Sequence, residues 1–261
     1  MKLIYILFFL LLISCQEEKK ATQPAGIALS FDDRFIKEWY QLRPLFKKYN
    51  AKVTFYVTQP DSLSKEEIIM LRQLQADGHE IGCHGAMHVG SIRYVWEHSM
   101  NEYMEKEVFQ ALRTMKRQGF NPTTFAHPGG SQIWYIDKEL LKHFKLLRDV
   151  AIKERKIAGF TYKRAVENMD EIYHQYDDSP KVNALLIDVG NNTTIEDIKK
   201  GLARAQQENS VMMLFGHRPL RIITHKPEEY GFDIHFLEQI LAESAKLKLQ
   251  YFTMNELHSG L

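Results

Sequence analysis

The sequence is poor in cysteine and has no excess of charge of either sign. Its 261 residues include two cysteines, Cys15 and Cys83, which are too few for a disulfide framework. Lysine and arginine together number 34 against 33 aspartates and glutamates, so the net charge is +1 and no basic surface for nucleic acid is predicted. The hydrophobic share of 44% and the charged share of 26% are those of a globular protein, which excludes disordered and fibrous classes.

One long hydrophobic run stands at the amino terminus. Residues 3–13 are almost wholly apolar, which suits a signal peptide and falls short of the roughly 20 residues that span a bilayer as a helix. The run ends in Leu12-Ile13-Ser14-Cys15, which resembles the lipobox of bacterial lipoproteins, where the chain is cleaved before a cysteine that then carries lipid. We predict a lipoprotein signal peptide at 1–14, lipidation of Cys15 and a flexible tether at 15–25. An ordinary secretory signal with an incidental cysteine is the alternative.

From residue 26 onward, short apolar segments alternate with amphipathic ones. Strands are predicted where β-branched and aromatic residues cluster, and helices where apolar residues recur every three or four positions, as in 36–49 and 97–118. Strands separated by helices imply parallel pairing with right-handed crossovers, and the sequence contains seven or eight such strands. The prediction is a single α/β domain over 26–261, a distorted (β/α) barrel of mostly parallel strands. The stretch 151–181 matches no element clearly and is interpreted as an insertion.

Polar residues follow four of the predicted strands at the point where each strand ends. They are Asp32-Asp33, the pair His84 and His88, the stretch 127–130, and Gly216-His217. In a parallel barrel the carboxyl ends of all strands lie on one face, where active sites are found. We therefore expect the four clusters to converge on one site.

The residue types suit one divalent metal ion. Asp33, His84 and His88 offer one carboxylate and two imidazoles, a three-ligand set that leaves a position open, as catalytic zinc sites do. Zn²⁺ is predicted, with Co²⁺ or Ni²⁺ as alternatives. Asp32, adjacent to a ligand, is the predicted general base, and His217 is the predicted acid that protonates a leaving nitrogen or oxygen.

Each cluster also has an ordinary structural explanation. Paired aspartates at a strand end are common helix caps, and two histidines four residues apart often lie on a solvated helix face. A histidine such as His217, directly after an apolar strand, can be a packed core residue. The shared position of the clusters at strand ends is what favours a functional site.

The same residues resemble a known family. Four segments are similar, in order and spacing, to motifs of the polysaccharide deacetylases (carbohydrate esterase family 4, the NodB homology domain). They are Ser30-Phe31-Asp32-Asp33, His84-Gly85-Ala86-Met87-His88, Ala126-His127-Pro128-Gly129-Gly130 and Leu214-Phe215-Gly216-His217. The resemblance implies a distorted (β/α) barrel and metal-dependent removal of acetyl groups from a carbohydrate. It also implies the roles given above for the base, the three metal ligands and the acid.

Two positions depart from the family in ways that bear on substrate binding. The family usually has glycine after the two aspartates, where this chain has Arg34, and we expect Arg34 to narrow or reshape the groove. Its third motif normally supplies an arginine that pairs with the catalytic aspartate and a tyrosine that contacts the intermediate. The corresponding stretch here has His127 and Gly129. We predict that His127, Pro128, Gly129 and Arg34 line the substrate wall, with the backbone N–H of Gly129 donating to the oxyanion.

The missing arginine and the fourth motif leave two assignments open. An opposite charge nearby favours an ionised carboxylate, and Arg34, Arg148 and Arg218 are the candidates to supply that charge to the base. The aspartates that orient the acid in the family have no clean match. Asp149 and Asp188 both end predicted strands and are the candidates for that role.

Two functions remain after this comparison. The first is a metal-dependent deacetylase of an acetylated carbohydrate, with an N-acetylated glycan or peptidoglycan preferred and O-acetylated xylan as the alternative substrate. The second is a catalytically silent, lipid-anchored glycan-binding protein that keeps the barrel and the metal site. The intact Asp32 and His217 favour the first function, and the missing arginine favours the second. We expect a cell-envelope protein that faces the periplasm or the cell surface, held at a membrane through Cys15.

Overall fold

The computed structural model describes residues 23–223 and 230–258. Within those residues, thirteen strands alternate with nine α-helices and short 3₁₀ turns. The strands are β1 (Gly26–Asp33), β2 (Thr54–Val57), β3 (Glu80–Cys83), β4 (Thr124–Ala126), β5 (Leu146–Ala151), β6 (Glu154–Ile157), β7 (Phe160–Lys163), β8 (Tyr173–His174), β9 (Lys181–Leu186), β10 (Val211–Gly216), β11 (Pro219–Leu220), β12 (Phe232–Asp233) and β13 (Gln250–Phe252). The helices are α1 (Ile36–Tyr40), α2 (Arg43–Tyr49), α3 (Lys65–Ala76), α4 (Ser91–Glu97), α5 (Met100–Tyr103), α6 (Gln110–Arg117), α7 (Trp134–Leu140), α8 (Ile195–Glu208) and α9 (Ile234–Lys246).

Seven parallel strands close into a barrel. Strands β1, β2, β3, β4, β5, β9 and β10 are hydrogen-bonded in that order, and β10 returns to pair with β1. The barrel is distorted at β1, because residues 26–28 pair with β13 whereas residues 30–33 pair with β2. The predicted distorted (β/α) barrel in a single domain is confirmed.

Side chains alternate between the inside of the barrel and the helical layer outside it, as along any β-strand. On β1, Ala28 lies in the interior cluster, whereas Leu29 and Phe31 pack in the cluster beneath the helices. The same alternation places Asp32 inside the barrel, where it is buried. The interior cluster consists of Ala28, Tyr56, Ala126, Leu146, Val182, Ala184, Val211, Met213, Phe215, Phe252, Met254 and Leu257. This strand therefore delivers one carboxylate to the barrel axis at its carboxyl end.

Two predicted helices differ from the structure in detail. The predicted helix 97–118 is present as a helical run over 100–117, which begins three residues later than predicted because the Ser99 side chain accepts a hydrogen bond from the Glu102 N–H and caps it there. That run contains a π-helical stretch, Met104–Phe109, between α5 and α6. The predicted helix 36–49 is split into α1 and α2, because Pro44 in the first turn of α2 cannot continue a helix from α1.

The stretch 151–181 holds a β-hairpin and short helical turns. Strands β6 and β7 pair antiparallel, and their turn, Ala158-Gly159, has positive φ at both positions, as a two-residue hairpin turn requires. The hairpin follows β5 at the carboxyl ends of the barrel strands, where the predicted site residues lie. Its strand β7 is exposed along its whole length.

The amino-terminal predictions fall on residues without a structural description. The predicted signal peptide 1–14, the lipidation site Cys15 and most of the tether 15–25 lie outside the described residues. Among the residues that are described, no helix combines the length and the apolar character needed to cross a membrane.

Candidate active site at the carboxyl ends of the strands

Three of the predicted residues meet in a cluster that could hold a metal ion. Asp33 Oδ1 lies 3.1 Å from His88 Nε2 and 3.6 Å from His84 Nε2. One ligand atom from each of the three residues lies within 4.8 Å of the other two. A carboxylate oxygen and two imidazole nitrogens at this spacing suit a divalent ion, and the set fits the metal predicted from the sequence.

The imidazole of His84 is held in the tautomer that a metal ligand needs. Its Nδ1–H donates to the carbonyl oxygen of Ala126, at 2.9 Å, so Nε2 is left with a free lone pair toward the cluster. Burial lowers the pKa of His84 to about 4, which keeps the ring neutral at physiological pH. The residue therefore offers an unprotonated nitrogen, as metal binding requires.

Asp33 is an ionised carboxylate in this cluster. Burial raises its pKa, but the hydrogen bond from His88 and the charges around it outweigh burial and hold the pKa well below its usual value. Its backbone has a φ of 85°, a left-handed conformation that costs a non-glycine residue energy and that is found at functional sites. The hydroxyl of Tyr230 donates to Asp33 Oδ2, at 2.8 Å, which leaves Oδ1 for the two histidines.

A buried arginine pairs with the predicted base. Arg148 Nη2 donates to Asp32 Oδ2, and both side chains are almost completely buried. The guanidinium of Arg148 also packs over the ring of Phe215, 4.4 Å from its centroid, and over that of Tyr56, at 5.4 Å. The other oxygen of the carboxylate, Asp32 Oδ1, has no hydrogen-bond partner among the described residues. That oxygen is therefore the one that can accept a proton.

Arg148 reaches the base from the strand beside the third motif. Its Cα pairs in register with that of Ala126, the last residue of β4. Both side chains point into the barrel, so the small Ala126 leaves the space that the guanidinium fills. The two other candidates contact different residues, since Arg34 donates to Ser62 and Arg218 pairs with Glu38.

The predicted acid is held by one of the two candidate aspartates. His217 Nδ1 lies 2.6 Å from Asp188 Oδ2, and the backbone N–H of His217 donates to Asp188 Oδ1 at 3.1 Å. A side chain at Gly216 would lie 3.1 Å from Asp188 and 2.7 Å from the ring of Phe232, so this close approach requires glycine. The other candidate, Asp149, lies instead near Gly130.

The environment of His217 favours its protonated form. Burial lowers its pKa, but the hydrogen bond and charge of Asp188, together with the charges of Asp32 and Asp33, outweigh burial and raise the pKa above its ordinary value. Because Nδ1 faces Asp188, Nε2 is the nitrogen that can deliver a proton to a substrate. The ring of Tyr230 packs beside this imidazole, with the centroids 4.4 Å apart.

The predicted substrate-wall residues lie in different places. His127 is buried, and its Nε2 is 3.2 Å from Asp137 Oδ1 on α7. The side chain of Arg34 is bonded to Ser62. At Gly129, an added Cβ would meet nothing within 4 Å, so this side of the Pro128-Gly129 turn is open to a ligand.

Sequence reasoning missed Tyr230 and did not single out Arg148 or Asp188. Tyr230 belongs to no motif, and only the fold brings its hydroxyl to the predicted metal ligand Asp33. The available signals for the other two were a charged residue on an apolar strand and an acid at a strand end. Each signal fits more than one residue in this sequence.

A comparison with protein families supports the assignment made from the motifs. The family model described as Polysaccharide deacetylase matches residues 19–147. This match confirms the predicted resemblance over the matched segment, which contains the first three motifs. The predicted enzyme class, a polysaccharide deacetylase, agrees with the description of that family model. Arg148, Asp188 and His217 lie beyond the matched residues.

Solved structures with the same fold cover nearly the whole chain. A chitin deacetylase from Colletotrichum lindemuthianum matches with a TM-score of 0.58 and 14% identity, over 92% of this chain and 90% of that one. A peptidoglycan N-acetylglucosamine deacetylase catalytic domain from Eubacterium rectale matches with a TM-score of 0.52 and 19% identity, over 88% and 89%. A family 4 acetyl xylan esterase from Clostridium thermocellum, in complex with a cobalt ion, has a TM-score of 0.52 and 18% identity over the same shares. No curated protein sequence matches this chain.

Proposed function

We propose that this protein is a metal-dependent hydrolase that removes acetyl groups from an acetylated carbohydrate. The observation that carries the proposal is the arrangement of two proton-transfer groups around one candidate metal cluster. Asp32, held by Arg148, has its Oδ2 3.9 Å from His84 Nε2, and His217, held by Asp188, is close enough for its charge to lower the pKa of Asp33. A base and an acid with different charge partners are what amide or ester hydrolysis needs.

The proposed metal ligands are Asp33, His84 and His88. A divalent ion bound to them would activate a water molecule and polarise the acetyl carbonyl. Zn²⁺ is the proposed ion, with Co²⁺ or Ni²⁺ as alternatives. The cobalt complex of the acetyl xylan esterase supports a divalent ion in this fold.

The proton transfers are assigned to two side chains. Asp32 Oδ1 takes a proton from the attacking water, while Arg148 fixes the carboxylate through Oδ2. His217 delivers a proton from Nε2 to the leaving nitrogen or oxygen, while Asp188 fixes the ring through Nδ1. The N–H of Gly129, at the open turn of the third motif, is proposed to donate to the developing oxyanion.

The glycan-binding alternative loses its main support. It depended on the absence of an arginine from the third motif. Arg148 makes the contact with Asp32 that this arginine makes in the family, so the base has its cationic partner. The catalytic proposal is therefore the better supported of the two.

The proposed substrate is an N-acetylated glycan or peptidoglycan, with acetylated xylan as the alternative, because the similar structures act on such polymers.

We further propose that the protein is a lipoprotein of the cell envelope, anchored through Cys15 and facing the periplasm or the cell surface. The Cys15→Ala variant should then be absent from the membrane fraction, or its signal peptide should remain uncleaved. A variant that partitions with detergent as the wild type does would contradict the anchor.

Acetate release tests the proposed reaction. The purified chain would be assayed on chitooligosaccharides, peptidoglycan and acetylated xylan, with added Zn²⁺, Co²⁺ or Ni²⁺ and after chelation. We expect release from at least one substrate, its loss on chelation and its return with metal. Asp32→Asn is the matched control, since it should bind metal and release almost no acetate. Metal binding without release from any of these substrates would contradict the proposal.

A further inference from the structure

The loop between the two histidine ligands folds around the carboxylate of Glu107. The Met87 N–H donates to Glu107 Oε2 at 2.6 Å, and the Val89 N–H donates to Oε1 at 3.1 Å. The Ala86 N–H donates to the backbone oxygen of Glu107 at 2.9 Å. The N–H groups on both sides of His88 are thus bound to a single carboxylate.

The conformation of this loop depends on close contact with that carboxylate. His88 has a φ of 62°, which places a non-glycine residue in the left-handed region. Gly85 has a φ of 82°, and a Cβ there would lie 2.0 Å from Glu107 Oε1. The glycine lets the carboxylate approach, and the hydrogen bonds at Met87 and Val89 keep His88 in a conformation that it would otherwise leave.

Glu107 lies in an unusual environment for a carboxylate. It is completely buried and lies in the π-helical stretch Met104–Phe109, and such stretches are frequent at functional sites. A buried carboxylate is costly unless hydrogen bonds compensate for the lost water. Among the described residues, the hydrogen bonds recorded for this carboxylate come from the backbone of the metal-binding loop.

The two histidines differ in how much they depend on Glu107. His84 directly follows β3, and the Ala126 carbonyl fixes its ring. His88 is exposed in part and lies on the loop, so its position follows from the loop conformation. Displacing the loop would therefore move His88 away from Asp33 and leave His84 in place.

We infer that Glu107 is a positioning residue for the metal site, whose carboxylate fixes the loop 85–89 so that His88 completes the ligand set. The inference rests on the metal site of the proposed function and does not require acetate release. It assigns to a residue outside the recognised motifs a role in setting metal affinity.

Glu107→Gln tests this role because it keeps the size of the side chain and replaces one acceptor oxygen by a donor amide. One of the two loop N–H groups would then face another donor. We expect the dissociation constant for Zn²⁺ or Co²⁺ to rise roughly 10- to 100-fold, the usual effect of losing a group that supports a ligand. The absorption spectrum of the Co²⁺ form should change, since the coordination at His88 changes. His88→Ala combined with Glu107→Gln should bind metal no more weakly than His88→Ala alone.

Glu80→Gln is the matched control. Glu80 is another buried carboxylate, inside the barrel, where it accepts hydrogen bonds from Thr54 and Thr124 at 2.8 and 2.6 Å. Its variant should lose stability without losing metal affinity. If Glu107→Gln does not fold, Glu107→Asp provides a second test. It keeps a carboxylate but moves it away from the loop by one methylene, so it should show the same loss of metal affinity.

The outcomes separate this inference from the proposed function. A folded Glu107 variant that binds metal as tightly as the wild type, with an unchanged Co²⁺ spectrum, overturns the inference alone. Equal weakening in Glu80→Gln also overturns it, because the effect would then come from general destabilisation. A wild-type chain that binds no divalent metal overturns both proposals. Weakened metal binding in a chain that releases no acetate supports the inference and contradicts only the proposed reaction.

Discussion

The metal-binding half of the site and its acid–base half draw their residues from different parts of the chain. The three proposed metal ligands come from the first and second motifs, within the 19–147 segment that matches the family model. The acid–base half joins Asp32 from that segment to Arg148, Asp188 and His217 from beyond it. The proposed ligands thus come from two motifs within one matched segment, whereas the proposed proton-transfer groups join that segment to strands outside it.

Substitutions in the two halves of the site should differ most in the metal content of the purified variants. Replacing Asp33, His84 or His88 by alanine removes a ligand, so each variant should lose tightly bound metal and essentially all activity. Asp32→Asn should keep its metal and lose activity by roughly 10²- to 10⁴-fold, since a general base is removed. Metal analysis of the purified variants checks this. An Asp32 variant empty of metal would show that the two halves are not separate.

The pH dependence of kcat/KM tests the role of His217 in the acid–base half of the site. Asp188 stabilises the protonated form of His217, so its pKa lies above the ordinary value. The pH profile of kcat/KM should be bell-shaped, and Asp188→Asn should move its alkaline limb to lower pH, because His217 then loses its proton more readily. His217→Ala should lower the rate roughly 10²- to 10⁴-fold and flatten that limb, with metal content unchanged. An alkaline limb that stays in place in both variants would remove His217 from the mechanism.

The sequence predicted the strands of the barrel correctly, because the pattern of apolar residues determines them. It did not predict where individual helices begin, because single side chains that cap or interrupt a helix determine that. The alternation of apolar and amphipathic segments was enough to predict the parallel barrel strands. The predicted helix 97–118 begins at Met100 in the structure, because the Ser99 side chain caps it there and the pattern of apolar residues did not show this cap.

The prediction of the site shows the same division. Asp33 ends β1 and His84 directly follows β3, so the convergence of these two predicted ligands follows from the barrel alone, whereas the position of His88 depends on the loop after His84. Arg148 could not be chosen over two other arginines, because the choice depends on its register with Ala126. Asp149 follows Arg148 on the same strand and so points to the opposite face, which a sequence does not reveal until the inward residue is known.

The smallest expected effect concerns the residue that touches both halves. The hydroxyl of Tyr230 donates to Asp33, and its ring packs beside His217. Tyr230→Phe keeps the ring and removes one hydrogen bond to a ligand oxygen, so metal affinity should fall by about 10-fold at most. The alkaline limb of the pH profile should stay where it is, since the ring beside His217 is retained. Competition with a chelator measures the affinity, and a complete loss of metal would mean that Tyr230 has a larger role.

Arg148 lies on β5 and is proposed to supply the cation that holds the base Asp32. Arg148→Ala should lower kcat/KM by about 10²-fold through misplacement of the base, and should destabilise the fold by about 3–5 kcal/mol because a buried carboxylate loses its partner. Arg218→Ala, which removes an arginine paired with Glu38, should leave both quantities almost unchanged.

The most direct test moves the arginine back to the neighbouring strand. Ala126 and Arg148 are register partners that both face the barrel interior, so Ala126→Arg combined with Arg148→Ala returns the guanidinium to the third motif. The measurement is kcat/KM of this double variant beside that of Arg148→Ala, at equal metal content. We predict that the double variant recovers about 10-fold or more of the lost activity, since the cation again reaches Asp32. A folded, metal-loaded double variant no more active than Arg148→Ala, or an Arg148→Ala variant with wild-type activity, would contradict the account.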